Sequence, residues 1–95
     1  MSGITVERLV QLSNPIIIDI RKNSNYDKGH IKGAINIPYY TLLSNHSSYL
    51  EKGKIYYLYC NSGGLSGEIM SQLNNLGYNT VNVIGGYECY VNKVR

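Results

Sequence analysis

The run Lys54-Ile55-Tyr56-Tyr57-Leu58-Tyr59-Cys60-Asn61-Ser62-Gly63-Gly64-Leu65-Ser66 decides the fold. Residues 54–59 are rich in aromatic and branched side chains, which suit a pleated, half-buried surface, so they are expected to form a strand. That strand ends at Cys60. Asn61 to Gly64 are turn formers. From Ser66 to Leu76, the apolar residues Ile69, Met70, Leu73 and Leu76 recur at helical spacing, and Gly77 is a natural stop. The segment therefore reads as strand, tight turn and helix, with a cysteine at the hinge.

Outward from this unit the same alternation continues. Upstream, Ile16-Ile17-Ile18-Asp19-Ile20 is a continuous β-branched run, the mark of a strand covered on both faces. Ala34 to Pro38 reads as a short strand ended by proline. Ser2 to Thr5 suggests another, with Thr5 capping a helix that runs to Leu12 before Asn14-Pro15 breaks it. A polar stretch through Lys28 reads as helical, and Tyr40 to Leu50 as one or two short helices. Downstream, Thr80 to Ile84 is the last strand, closed by Gly85-Gly86, and a short helix is expected over Tyr87 to Val91. Strands separated by helices predict an α/β fold, a mostly parallel sheet covered on both faces, in one domain over residues 1–95. Ligands of such sheets bind off the carboxyl ends of the strands, where Asp19, Cys60 and Gly85-Gly86 all fall.

Composition narrows the function classes. The chain has 95 residues, 43% hydrophobic and 16% charged, which fits a globular domain with a modest core. It has no Trp or Phe, so ten Tyr carry the aromatic mass, and each hydroxyl must find a partner or reach water. The net charge of +3 is scattered, with no basic stripe, so no nucleic-acid partner is expected. The apolar stretch at Pro15 to Ile20 is too short to span a bilayer, and no basic segment precedes an apolar run at the N-terminus, so neither membrane association nor a signal peptide is expected. Two cysteines make neither a disulfide framework nor a four-ligand zinc site. No metal or cofactor is expected, and a reducing, cytoplasmic compartment is the expectation.

Cys60 is the residue that carries chemistry. The glycines after it let the backbone curl so that N–H groups point inward, and the following helix adds its positive dipole end. Both favour an anion and would lower the thiol from its free pKa of about 8.5. The plainer reading is a small buried apolar residue at a strand end. A Cys-x5-Arg phosphatase is excluded because Ser66 stands where arginine must clamp the phosphoryl group.

The chain resembles the rhodanese family in four ordered places: Asp19-Ile20-Arg21; Tyr26-Asp27-Lys28-Gly29-His30-Ile31-Lys32-Gly33-Ala34-Ile35-Asn36-Ile37-Pro38; Tyr59-Cys60-Asn61-Ser62-Gly63-Gly64-Leu65-Ser66; and Gly77-Tyr78 followed by Val83-Ile84-Gly85-Gly86-Tyr87-Glu88-Cys89-Tyr90. The resemblance implies a rhodanese-like parallel five-stranded sheet flanked by helices on both faces, with the reactive loop after the fourth strand. It implies that Cys60 takes sulfur from a small donor or a protein persulfide and passes it to cyanide, a thiol or a partner protein. The backbone N–H groups of Asn61, Ser62, Gly63, Gly64, Leu65 and Ser66 would cradle the sulfur anion.

Four positions depart from the family pattern, two of them in the reactive loop. Thiosulfate-using rhodaneses often carry Arg directly after the cysteine and Arg or Lys at the end of the loop; here these are Asn61 and Leu65. Weak thiosulfate turnover is the expectation, and a non-catalytic partner-binding or redox-sensing module is the competing function. A third, Asn25, replaces the family's acidic residue in the second motif, and Tyr90 its final Trp; both changes bear on packing. Asp19 and Arg21 count with the site, either polarising the pocket or, as expected, bracing its turns. His30 is expected to pack its loop, and His46 lies in a separate segment. Cys89 could share a rim with Cys60 and resolve a persulfide, but a small residue packed in the terminal helix is the expectation.

Overall fold

The computed structural model describes residues 3–95, so Ser2 of the expected first strand lies outside the described residues. Five strands, β1 (Gly3–Ile4), β2 (Ile16–Asp19), β3 (Ile35–Asn36), β4 (Ile55–Tyr59) and β5 (Asn79–Val83), form one sheet in the order β1-β5-β4-β2-β3. Every pairing is parallel. Among the described residues five helices connect them, α1 (Val6–Leu9), α2 (Asn23–Lys28), α3 (Tyr39–Ser44), α4 (His46–Tyr49) and α5 (Gly64–Asn75), and a sixth, α6 (Gly86–Lys93), follows the last strand.

The period of two along each strand sorts side chains to two cores. Ile16, Ile18, Tyr56, Leu58 and Cys60 face one side, where Leu42 of α3 and Ile69 and Leu73 of α5 cover them. Ile17, Tyr57, Tyr59 and Val83 face the other, against Val6 and Leu9 of α1 and Tyr87, Cys89 and Tyr90 of α6. The continuous isoleucine run is thus explained: both faces of β2 are covered, so neither tolerates a polar residue except Asp19 at the strand end.

Several boundaries differ from the sequence expectation. Thr5 does cap α1, its Oγ1 accepting from Arg8 N at 3.2 Å, but the helix ends at Leu9 rather than Leu12. Its last turn tightens through Gln11 N to Arg8 O and Leu12 N to Leu9 O, and Asn14 then takes a left-handed φ of 51° before Pro15. The third strand shrinks from Ala34–Pro38 to Ile35–Asn36 at the sheet edge. Helix α5 begins at Gly64, two residues before Ser66. Gly63, in the left-handed region at φ 102°, turns the chain so sharply that Gly64 and Leu65 already lie in the first helical turn. Helix α6 extends over Gly86–Lys93 rather than Tyr87–Val91. Among the described residues no helix is long and apolar enough to cross a membrane.

Candidate active site

Cys60 sits at the carboxyl end of β4 with 6% of its surface exposed. Gly63 N donates to its Sγ at 3.1 Å, and the Ser66 Oγ lies 3.4 Å away. Burial pushes the thiol up. The Ser66 hydroxyl and the N–H groups of Ser66, Gly63 and Ser62 outweigh it, so the pKa falls below the ordinary thiol value. The fold builds this cradle from backbone because β4 stops at the cysteine and α5 starts four residues later.

The loop is held from behind by the start of α6. Tyr87 N donates to Cys60 O at 2.9 Å and Glu88 N to Asn61 O at 3.0 Å. This approach requires Gly86, whose φ is 56° and whose added Cβ would collide with the carbonyl oxygens of Cys60 and Asn61. Gly86→Ala is expected to destabilise the domain by at least about 1–2 kcal/mol from the backbone alone, and to slow alkylation of Cys60 as the loop shifts. A urea midpoint and an iodoacetamide rate matching the unaltered protein would contradict this packing.

Asp19 and Arg21 form a buried pair beside the loop. Arg21 NH2 lies 2.7 Å from Asp19 Oδ2, Arg21 Nε lies 3.0 Å from Oδ1, and Arg21 N also donates to Oδ1 at 2.8 Å. The same guanidinium donates to Gly29 O at 2.7 Å and to Asn61 Oδ1 at 3.3 Å, and it stacks 4.4 Å above the Tyr87 ring. Tyr59 OH donates to Asp19 Oδ2 at 2.7 Å and accepts from Ile31 N. Burial and that bond to Asp19 raise the Tyr59 pKa, so the phenol stays a donor. Arg21 thereby joins the end of β2, the Gly29 turn and the Cys60 loop.

A cleft of about 480 Å³ opens over the cysteine. Of the predicted site residues, Cys60, Asn61, Ser62, Leu65 and Arg21 line it. Ser66 is fully buried beneath the sulfur, Gly63 supplies its N–H, and Gly64 opens α5. Asp19, counted with the site, does not line the cleft: it is fully buried and its oxygens are occupied by Arg21 and Tyr59, so of the two readings it takes the bracing one, as a hold on Arg21. Cys89 packs in the core on the far face of the sheet from Cys60, its sulfur against Gly85. The two cysteines are free, and the shared-rim arrangement is not what the alternation of the strands gives. His30 stacks on Tyr26 at 3.8 Å, and His46 Nδ1 lies 2.9 Å from Tyr78 OH; neither lines the cleft. Among the described residues no group of three or more His, Cys, Asp or Glu could hold a metal ion.

Sequence reasoning missed Lys22, Tyr39 and Tyr40, which also line the cleft, and Asn82, which contacts Ser66. Lys22 and Tyr39 flank strand ends that were already assigned to the site's side of the sheet, so their position along the chain was a usable signal. Tyr40 is 79% exposed, and nothing in its spacing marks it for the cleft. Asn82 carried no signal, because a polar residue at alternate positions of β5 also fits an exposed face.

The chain is 34% identical over 70 residues to thiosulfate sulfurtransferase PspE of Escherichia coli, covering 73% of this chain and 67% of that protein. It is 39% identical over 62 residues to a tRNA sulfurtransferase of Thermoplasma acidophilum, covering 65% of this chain but only 12% of that relative's length. The crystal structure of a rhodanese-like domain protein from Staphylococcus aureus superposes with a TM-score of 0.83 at 31% identity, over 95% of this chain and 91% of the other. Residues 5–93 match the family model of the rhodanese-like domain, and the chain belongs to that family.

Proposed function

We propose that this domain is a sulfurtransferase that carries sulfur as a persulfide on Cys60. The observation that carries the reading is the sulfur itself: nearly buried at the floor of a cleft, with the Gly63 N–H donating to it and the Ser66 hydroxyl oxygen 3.4 Å away. That arrangement suits an anion on sulfur better than it suits an inert core thiol. The relatives named sulfurtransferases agree with it.

The chemistry runs in two displacements. The Cys60 thiolate attacks the outer sulfur of a donor persulfide; a new S–S bond forms, the donor's S–S bond breaks, and the donor leaves as a thiolate. An acceptor thiolate or cyanide then attacks the outer sulfur of the Cys60 persulfide, takes it, and returns Cys60 as a thiolate. Each step moves one electron pair onto the departing sulfur and needs no oxidant. The test is peptide mass mapping after brief exposure to glutathione persulfide and, separately, to thiosulfate. One added sulfur on the peptide holding Cys60 is expected. No sulfur on that peptide from any donor would favour a non-catalytic module that binds a partner or senses oxidation.

The donor should not be one that needs a cation to hold an anionic sulfonate beside the transferred sulfur. At the cleft, Asn61 and Leu65 replace the cations that would hold thiosulfate, and Arg21 is already spent on Asp19, Gly29 and Asn61. Lys22 is the remaining cation among the lining residues. A glutathione or protein persulfide is therefore the expected donor, with thiosulfate turned over weakly. Leu65→Arg is the informative change, because Leu65 is 53% exposed on the rim whereas an arginine at Asn61 would crowd Arg21. It is expected to raise kcat/KM for thiosulfate by about tenfold, the scale of one charge-assisted hydrogen bond. An unchanged value would show that the missing cation is not what limits thiosulfate.

A further inference from the structure

Four groups close a ring of hydrogen bonds around the reactive sulfur. Gly63 N donates to Cys60 Sγ at 3.1 Å. Cys60 Sγ lies 3.4 Å from Ser66 Oγ. Ser66 Oγ donates to Asn82 Oδ1 at 2.5 Å. Asn82 Nδ2 donates to Gly63 O at 3.2 Å, which closes the ring. The orientation of the Asn82 amide follows from its partners: turned over, its oxygen would face the carbonyl oxygen of Gly63. The amide sits in a slot left by glycines, since a Cβ at Gly67 would come 3.3 Å from Asn82 Nδ2.

A serine hydroxyl has one proton. When Cys60 is a thiol, its S–H donates to Ser66 Oγ and Ser66 passes its own proton to Asn82, so every group is satisfied. When Cys60 is a thiolate, the sulfur wants the Ser66 proton as well. Turning the hydroxyl to the sulfur strips Asn82 Oδ1 of its donor; leaving it with Asn82 denies the thiolate a charge-assisted bond. Once a second sulfur is attached, Sγ holds two covalent bonds and the charge resides on the outer sulfur, so the hydroxyl can return to Asn82.

We propose that Asn82 is a positioning residue that competes with Cys60 for the single proton of the Ser66 hydroxyl, and so holds the unloaded thiolate at higher energy than the thiol or the persulfide. The inference rests on Cys60 being the nucleophile. It does not need sulfur transfer, because alkylation reads the thiolate directly. The other titratable or charged side chains facing the sulfur's cleft are Arg21, Lys22, Tyr39 and Tyr40, with Glu68 bonded to Tyr39 OH; Asn82 touches none of them through the bonds above, and they remain in place in the variants.

The test is the pH profile of Cys60 alkylation by iodoacetamide, followed by peptide mapping in the absence of any sulfur donor. Asn82→Ala frees the hydroxyl for the sulfur and is expected to lower the midpoint by about one pH unit, a tenfold gain in thiolate at low pH. Asn82→Asp, which holds the Ser66 proton harder, is expected to raise it. In a Ser66→Ala background the alanine shift should vanish, because the shared proton is gone. A midpoint that stays or rises in Asn82→Ala would overturn the proposal, since that is what simple loosening of the Gly63 turn would give. So would an equal fall with and without Ser66. Should the alanine variant unfold, the aspartate variant carries the test: its rise must shrink in the Ser66→Ala background, whereas a through-space charge effect would persist. A failed sulfur-loading experiment with the expected alkylation shifts would count against the transfer function and leave this relay standing.

Discussion

Cys60→Ser is expected to abolish sulfur loading and to reduce transfer from glutathione persulfide to cyanide by a factor on the order of 10³ or more, whereas Cys89→Ser should leave both little changed. The asymmetry follows from ionisation and from place. The Ser66 hydroxyl and three backbone N–H groups lower the Cys60 pKa below the ordinary thiol value, which favours the thiolate. A serine hydroxyl is not ionised near neutral pH, and no imidazole or carboxylate borders the described cleft to take its proton. The substitution changes one atom at a site that is nearly closed, so the fold should persist and the loss can be read as chemistry. Cys89 packs on the opposite face of the sheet, against Gly85, where a donor in the cleft does not reach. Intact mass and a coupled thiocyanate assay on the three proteins would check this. Residual loading of Cys60→Ser with loss in Cys89→Ser would move the nucleophile to the other cysteine.

What the sequence made legible was whatever repeats with a period or forces a backbone turn. The run Ile16 to Ile20 announced a strand covered twice, and the sorting of its residues into two cores is the outcome. Cys60 was found because strand, glycine turn and helix leave one nucleophile at the hinge. Contacts across strands were not legible. Asp19 and Tyr59 lie directly opposite each other in the β2–β4 register, yet they are 40 residues apart in sequence, and only register makes them partners. Asn82 reaches Ser66 through the β4–β5 register and the seating of α5, neither of which leaves a mark in β5 itself. The start of α5 moved because Gly63, in the left-handed region, turns the chain just before Gly64.

The largest effect on stability should come from Asp19→Ala. Removing this carboxylate leaves the Arg21 guanidinium, 8% exposed, without the partner that accepts from its Nε, its NH2 and its backbone N. Burial pulls the Arg21 pKa down, and the hydrogen bonds and charge of Asp19 more than offset it, so the arginine stays charged and cannot shed the problem by losing its proton. Tyr59 loses its acceptor in the same stroke, in a position with no exposed surface. Breaking a buried pair from one side costs roughly 3–5 kcal/mol. Domains of this kind hold only about 5–15 kcal/mol in total, so the variant should unfold at a urea concentration near or below half that of the unaltered protein. The melting temperature should fall by some tens of degrees. Replacing both partners together, as Asp19→Leu with Arg21→Met, is expected to cost less than the single change, because no charge is then stranded. A single variant that melted within a few degrees of the unaltered protein would mean that water reaches Arg21, and the loop would then owe its position to Gly86 and Asn82 rather than to the buried pair.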